Sequence, residues 1–282
     1  MNNYYAQFGG GLGDVFHQIF TGPYWHLLRD LLPEDRVRCA LICHNPYARE
    51  LFEWHPKRAQ IDLLDLGYWG WNEDREKREK YNLPYSPIDP PFSTGPIDFY
   101  ISNEEAMKLA EFRQQMAGKP YVLFSATAGQ EDRTFPHNLA MELLTFLTGY
   151  VRVVIVGRNY IRLQRQQEWR ASDLLDLKYS ANVFDMVDAF SVPGVANLLI
   201  GSAGLVTCHS SLNLLGWHLR KPQLLLYPES VRQRHFLTPD GCSFGIQYPE
   251  TVHSLYENYS QDVAKQFIEK LSIKGSANCS LF

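Results

Sequence analysis

The sequence predicts an α/β protein made of two Rossmann-like, doubly wound parallel-sheet domains facing a central cleft. Three observations predict it. Short apolar runs alternate with amphipathic runs from end to end of the 282 residues, the pattern of repeated β-α units. A glycine-rich strand-to-helix turn, Phe8-Gly9-Gly10-Gly11-Leu12-Gly13-Asp14, opens the first half. A second such turn, Val206-Thr207-Cys208-His209-Ser210-Ser211, lies in the second half. Each half therefore offers a helix start whose unpaired N–H groups suit an anion.

In chain order, the apolar stretch Tyr4 to Phe8 predicts a strand, and Phe16, Ile19, Phe20, Leu27, Leu28 and Leu31 put one apolar face on a helix from Val15 to Leu32. Gly22-Pro23 should kink or break that helix. Strands at Val37 to Cys43 and Ile61 to Leu64 follow, with a helix at Pro46 to Trp54 between them. From Gly67 to Pro96 the pattern dissolves into Trp, Tyr, Pro and charge. Such a long excursion is often functional, and Trp69 and Trp71 are candidates for stacking on an acceptor ring. Ile97 to Ser102 is expected as the last strand of the first domain and Glu104 to Met116 as a linking helix.

Ala117-Gly118-Lys119-Pro120 marks the boundary, so residues 1–117 form the N-terminal domain and 118–258 the C-terminal one. The second domain is expected to carry strands at Tyr121 to Phe124, Val151 to Val156, near Val183, Gly204 to Thr207 and Gln223 to Tyr227. Its helices are expected at Pro136 to Leu147, Tyr160 to Trp169, Val195 to Ile200 and Ser211 to Leu219. A helix within 259–274 is expected to pack back on the N-terminal domain, and 275–282 to form a flexible tail.

Composition narrows the function classes. Hydrophobic residues make up 45% of the chain, and the formal net charge is −4, which argues against a strongly cationic nucleic-acid surface. Five cysteines without a CxxC pair read as reduced thiols of a cytoplasmic protein. No basic and apolar leader opens the chain, and no apolar run approaches the roughly 18 residues of an integral membrane segment. Nothing in the sequence indicates an oligomeric state.

The chemistry concentrates at strand ends. Gly10, Gly11 and Gly13 allow close backbone approach at the first turn, yet Asp14 stands where a dinucleotide fingerprint needs its third glycine. Asp14 is either a first-turn acid favoured by the helix dipole or a general base for an acceptor hydroxyl. His17, one position past Phe16, lies near it on the acceptor side. In the second half, Ser125, Thr127 and Arg133 supply hydroxyls and a guanidinium, and His209, Ser210 and Ser211 open a helix. Together they suit a diphosphate held without a metal, with Ser N-capping as the plainer role. Gly157 and Arg158 end a strand where a nucleoside would sit. No Asp-x-Asp occurs, and Cys39, Cys43 and His44 are better explained by an apolar strand than by a metal site.

The order Gly-Gly-x-Gly-Asp, then Arg133-x-Phe135-Pro136, then Gly157, then His209-Ser210-Ser211 and Arg220-Lys221-Pro222, resembles glycosyltransferase family 9, the heptosyltransferase-like group of the GT-B superfamily. The resemblance implies a GT-B fold with Asp14 as catalytic base, Ser125 and Thr127 as phosphate-binding hydroxyls, and Ser210 and Ser211 as helix-start phosphate binders. Arg133 stands where the family has a donor-binding lysine. His209 replaces the family's aspartate and Leu214 its histidine, so the donor's identity does not carry over. Gly10 to Asp14 also resembles the opening motif of glycogen and starch synthases, as shared architecture only.

The resemblance implies inverting, metal-independent transfer from a nucleotide-diphosphate sugar, a substrate and not a cofactor, to a glycan or lipid-linked acceptor. Two alternatives stay open: a phage-type enzyme acting on hydroxymethylated DNA bases, and a non-catalytic sugar-nucleotide-binding protein.

Overall fold

The computed structural model describes residues 3–21, 24–43, 45–67, 76, 79–80, 97–129, 131–159, 170–176, 181–235 and 251–275. The chain folds into two compact units, Met1–Ser102 with Ser191–Pro193, and Asn103–Phe190 with Gly194–Phe282.

The first unit is built on three parallel strands, β1 (Asn3–Gly10), β2 (Arg36–Cys43) and β3 (Ile61–Asp65), in the order β1-β2-β3. The expected first helix is two, α1 (Leu12–Thr21) and α2 (Tyr24–Asp30), with Gly22-Pro23 between them outside the described residues. Helix α1 buries Leu12, Val15, Phe16 and Ile19, each large side chain contributing about 1.5–3 kcal/mol. Asn45 caps a 3-10 turn, Pro46–Arg49, by accepting the Tyr47 N–H, and the short α3 (Glu50–Glu53) follows.

The expected strand at Ile97 to Ser102 has no ladder among the described residues. Its aromatics pack instead: Phe99 meets Phe16 and Phe20 at 6.1 and 6.2 Å between centroids, and Tyr100 meets His55 at 5.0 Å.

The second unit holds six parallel strands: β4 (Tyr121–Ser125), β5 (Arg152–Ile155), β6 (Val183–Asp185), β7 (Gly204–Cys208), β8 (Gln223–Tyr227) and β9 (Thr251–Leu255). Their order is β6-β5-β4-β7-β8-β9, the doubly wound order in which the chain reverses direction between β4 and β7. β4, β7 and β8 are buried at every residue, as strands covered on both faces must be.

Helix α4 (Asn103–Met116) belongs to this unit, so the compact units divide at Ser102 and not after Ala117. The reason is packing: Phe112 meets Tyr121 and Phe184 edge-on, and Arg152 donates to the Met116 carbonyl.

Four more helices are α5 (His137–Thr148), α6 (Val192–Gly201), α7 (Ser211–His218) and α8 (Glu229–His235). The closing helix α9 (Gln261–Gly275) places Ala264 and Phe267 in the same core as Leu143, Leu147 and Val252. It thus packs on the second unit, where the sequence suggested a return to the first. The expected helix at Tyr160 to Trp169 and the tail beyond Gly275 lie outside the described residues.

Candidate active site

At the first turn, Gly10 ends β1 with φ +96°, a conformation open to glycine. The turn is clamped twice. Gly9 N–H donates to Gln18 Oε1 at 2.9 Å while Gln18 Nε2 donates to the Gly9 carbonyl at 3.1 Å. Gly11 N–H donates to Asp14 Oδ2 at 2.6 Å, so Asp14, third in α1, reaches back to the N-cap as in a capping box. Gly13 lies between them in the first turn of α1.

The Asp14 charge is felt by its neighbours. Burial lowers the His17 pKa while Asp14 opposes that shift, and burial pushes the Cys43 thiol up to about 11, with Asp14 and Asp65 adding to it. The first unit also carries a cavity of about 410 Å³ lined by Arg49, Glu53, Arg58, Leu63 and Asp65, beside the carboxyl end of β3. Trp69 and Trp71 lie outside the described residues.

In the second unit the donor-side candidates collect where the topology reverses. Ser125 at the end of β4 is in register with Thr207 of β7, so the two strands that flank the switch point end together. Open parallel sheets bind ligands there, outside the strands' carboxyl ends. Ser125 and Thr127 are buried. Gly157, with φ +153°, brings the chain after β5 against Thr127: a Cβ on it would lie 3.3 Å from Thr127 Oγ1 and from the Ala171 Cβ. Arg158 follows, half-exposed, and the Asn159 N–H donates to the Asp188 carboxylate at 3.3 Å.

The Arg133 segment is held rather than loose. Phe135 N–H donates to the Ala126 carbonyl at 2.9 Å, Ala128 N–H to Thr134 Oγ1 at 3.1 Å, and the Tyr256 hydroxyl to the Arg133 carbonyl at 2.7 Å. Phe135 is buried edge-on to Phe124 and Tyr256. The guanidinium lies close enough to Cys208 to pull its pKa down, although burial dominates and leaves the thiol at about 12. The backbone of the Arg133 segment is thus held beside the end of β4.

His209 is buried at the end of β7. Ser210 is the N-cap of α7: it exchanges a reciprocal capping box with Asn213, and its hydroxyl lies 3.2 Å from Thr207 Oγ1. Its hydroxyl, a phosphate contact on the sequence resemblance, is occupied in local structure. Ser211 and Leu212, both half-exposed, begin the helix, and first-turn N–H groups have no intrahelical partner. Ser125, Thr127, Gly157, Arg133, His209, Ser210 and Ser211 therefore come together in one unit, and Asp14, His17 and the glycine turn in the other.

Sequence reasoning missed Gln18, Tyr256 and Asn213. Only Asn213 left a signal, the Ser-x-x-Asn spacing of a capping box. Among the described residues no group of three or more His, Cys, Asp or Glu is placed to hold a metal ion, and no helix is long and apolar enough to cross a membrane.

Two parallel-sheet units of this kind are an architecture the chain shares with solved glycosyltransferases. The Escherichia coli ADP-heptose lipopolysaccharide heptosyltransferase II superposes with a TM-score of 0.60 at 12% identity, over 98% of this chain and 100% of that one. The E. coli heptosyltransferase WaaC, solved with ADP, gives 0.56 at 14% identity over 98% and 99%. A glycosyl transferase family 9 structure from Veillonella parvula gives 0.54 at 13% identity over 96% and 89%. No family matches the sequence itself, and no curated protein does. The likeness is one of fold.

Proposed function

We propose that the protein is a glycosyltransferase of heptosyltransferase type that moves a sugar from a nucleotide-diphosphate donor to an acceptor hydroxyl. One observation supports this reading: at the reversal point of a doubly wound sheet, two buried hydroxyl side chains and a helix start lie at neighbouring strand ends, and the Arg133 backbone is latched close by through Tyr256 and the Phe135–Ala126 bond. That set of donors matches a diphosphate in charge and in hydrogen-bonding demand. The neighbour solved with ADP has the same fold.

In the proposed reaction the acceptor oxygen attacks the anomeric carbon as the bond to the diphosphate oxygen breaks, inverting the centre. Asp14 takes the acceptor proton, and the leaving diphosphate gathers negative charge. Arg133, Thr127, Ser125 and the α7 start stabilise that charge more in the transition state than before it. Gly157 and Arg158 border the nucleoside, and the donor set needs no metal ion. His17, Trp69 and Trp71 remain the acceptor-side candidates. A glycan or lipid-linked sugar as acceptor is supported by the first-unit cavity, whose guanidinium and carboxylate lining suits sugar hydroxyls.

One observation favours a second reading, a binder without turnover: the Asp14 carboxylate already serves the Gly11 N–H. Calorimetry with nucleoside diphosphates, alongside a transfer assay, separates the two. The enzyme reading expects binding that weakens at least tenfold in Arg133→Ala, and transfer lost in Asp14→Asn. Binding with no transfer by wild type under any acceptor would favour the binder, and no binding at all would end both.

A further inference from the structure

The two helix starts share a geometry and differ in charge. In α1 the third residue, Asp14, accepts the N-cap N–H of Gly11, and in α7 the third residue, Asn213, accepts the N-cap N–H of Ser210 at 3.2 Å. One plug is a carboxylate and the other a neutral carboxamide. An acidic residue is the usual choice in a first turn, because it answers both the orphan N–H groups and the dipole.

The carboxamide is also costly where it stands. Asn213 is 0% exposed and its Nδ2 has no hydrogen-bond partner among the described residues. A buried, unsatisfied donor calls for an explanation other than stability. Because Oδ1 is fixed at the Ser210 N–H, the carboxamide as a whole is fixed at this helix start and brings no net charge to it. A carboxylate there would close the cap equally and set a negative charge against an incoming anion.

We propose that Asn213 is a specificity-determining residue, closing the α7 cap without charge so that the Ser211 and Leu212 N–H groups remain available to a diphosphate. Ser210 then acts as a cap and not as a phosphate ligand. The proposal rests on the donor site described above. It assigns anion binding to one helix start and denies it to the other, where Asp14 stands.

The test is calorimetric titration with inorganic pyrophosphate and with UDP, ADP and GDP, on wild type, Asn213→Asp, Asn213→Ser and Arg133→Ala, beside ligand-free thermal unfolding of each. Asn213→Asp is expected to bind at least tenfold more weakly at pH 8, and Asn213→Ser, which adds no charge, to stay within about threefold of wild type. A folded Asn213→Asp with wild-type affinity would overturn the proposal. So would an Asn213→Ser that folds yet loses as much as the aspartate, since the cap and not the charge would then be at issue. If Asn213→Asp does not fold, Leu212→Asp sets the same charge at a half-exposed first-turn position: affinity at least tenfold weaker supports the assignment and wild-type affinity overturns it. Wild type that binds none of the four probes defeats the donor-site reading and this inference together. Wild-type binding sensitive to Arg133 but indifferent to Asn213→Asp defeats only the inference.

Discussion

Gly10→Ala would strike the first turn at its tightest point. A Cβ at residue 10 would lie 2.6 Å from Asp14 Oδ2 and 2.8 Å from the Asp14 Cβ. The second contact cannot be relieved by rotating a side chain, so α1 or the turn must move. The backbone adds its own penalty, because φ is +96° and holding alanine in a sparsely populated region costs on the order of 1–3 kcal/mol. Displacing Asp14 also breaks the charge-assisted bond from Gly11, at about 1.5–3 kcal/mol. The sum is roughly 2.5–6 kcal/mol, which at about 2–4 °C per kcal/mol lowers the melting temperature by roughly 5–24 °C.

Gly9→Ala is the control, since its Cβ would meet nothing nearer than the Ile42 carbonyl at 3.5 Å. Calorimetric or circular-dichroism melting of the two variants, with nucleoside diphosphate affinity measured on each, checks the reasoning. Gly10→Ala should melt early and lose transfer while keeping donor affinity. Equal melting temperatures for the two alanine variants would refute it.

The remaining predictions follow from the same contacts. Asp14→Asn keeps an oxygen for the Gly11 N–H but cannot take a proton, so kcat should fall about 10²–10⁴-fold with donor affinity unchanged; equal loss of both would remove Asp14 as base. His55 is buried between Trp25 and Tyr100 and accepts the Lys57 N–H on Nδ1, and burial, helped by Lys57, lowers its pKa from 6.5 to about 4. The unfolded chain then binds the proton first. Stability from this group is complete above pH 6.5 and declines as pH falls, by about 2.5 kcal/mol at pH 4.5. Urea unfolding should show that loss in wild type and much less of it in His55→Gln, and parallel curves would count against it. Transfer should be the same with and without EDTA, and chelator-sensitive turnover would contradict a donor site made only of amides, hydroxyls and a guanidinium.

Much of the fold was legible because it is written in buried apolar runs. β4, β7 and β8 are largely hydrophobic segments, and one helix ends at Thr21 while the next begins at Tyr24. β9 was invisible because Thr251-Val-His-Ser-Leu255 carries three polar residues and gains its place through long-range contacts, chiefly pairing with β8. α8 reads Glu-Ser-Val-Arg-Gln-Arg-His, with Val231 alone as an apolar anchor. The Ile97 to Ser102 segment misled because aromatic residues favour strands and also favour ring packing, and here Phe16, Phe20 and His55 took them.

The candidate site was readable in the sequence to the extent that its residues stand at strand ends. Glycine turns and hydroxyl clusters mark strand-to-helix junctions, and the register of β4 with β7 brings two of them together. Its supports were not legible. The Gln18 clamp on Gly9 spans nine residues and the Tyr256 latch on Arg133 spans 123, distances at which no local pattern survives. Asn213 within a helix looks like a poor helix former until its cap partner is seen.

The central claim is that a diphosphate binds at the carboxyl ends of β4 and β7. A crystal structure of the protein with a bound nucleoside diphosphate tests it most directly. Phosphate oxygens within hydrogen-bonding distance of the Ser211 or Leu212 N–H and of the Arg133 guanidinium are the predicted result; a diphosphate seated elsewhere, with those groups facing solvent, would contradict it.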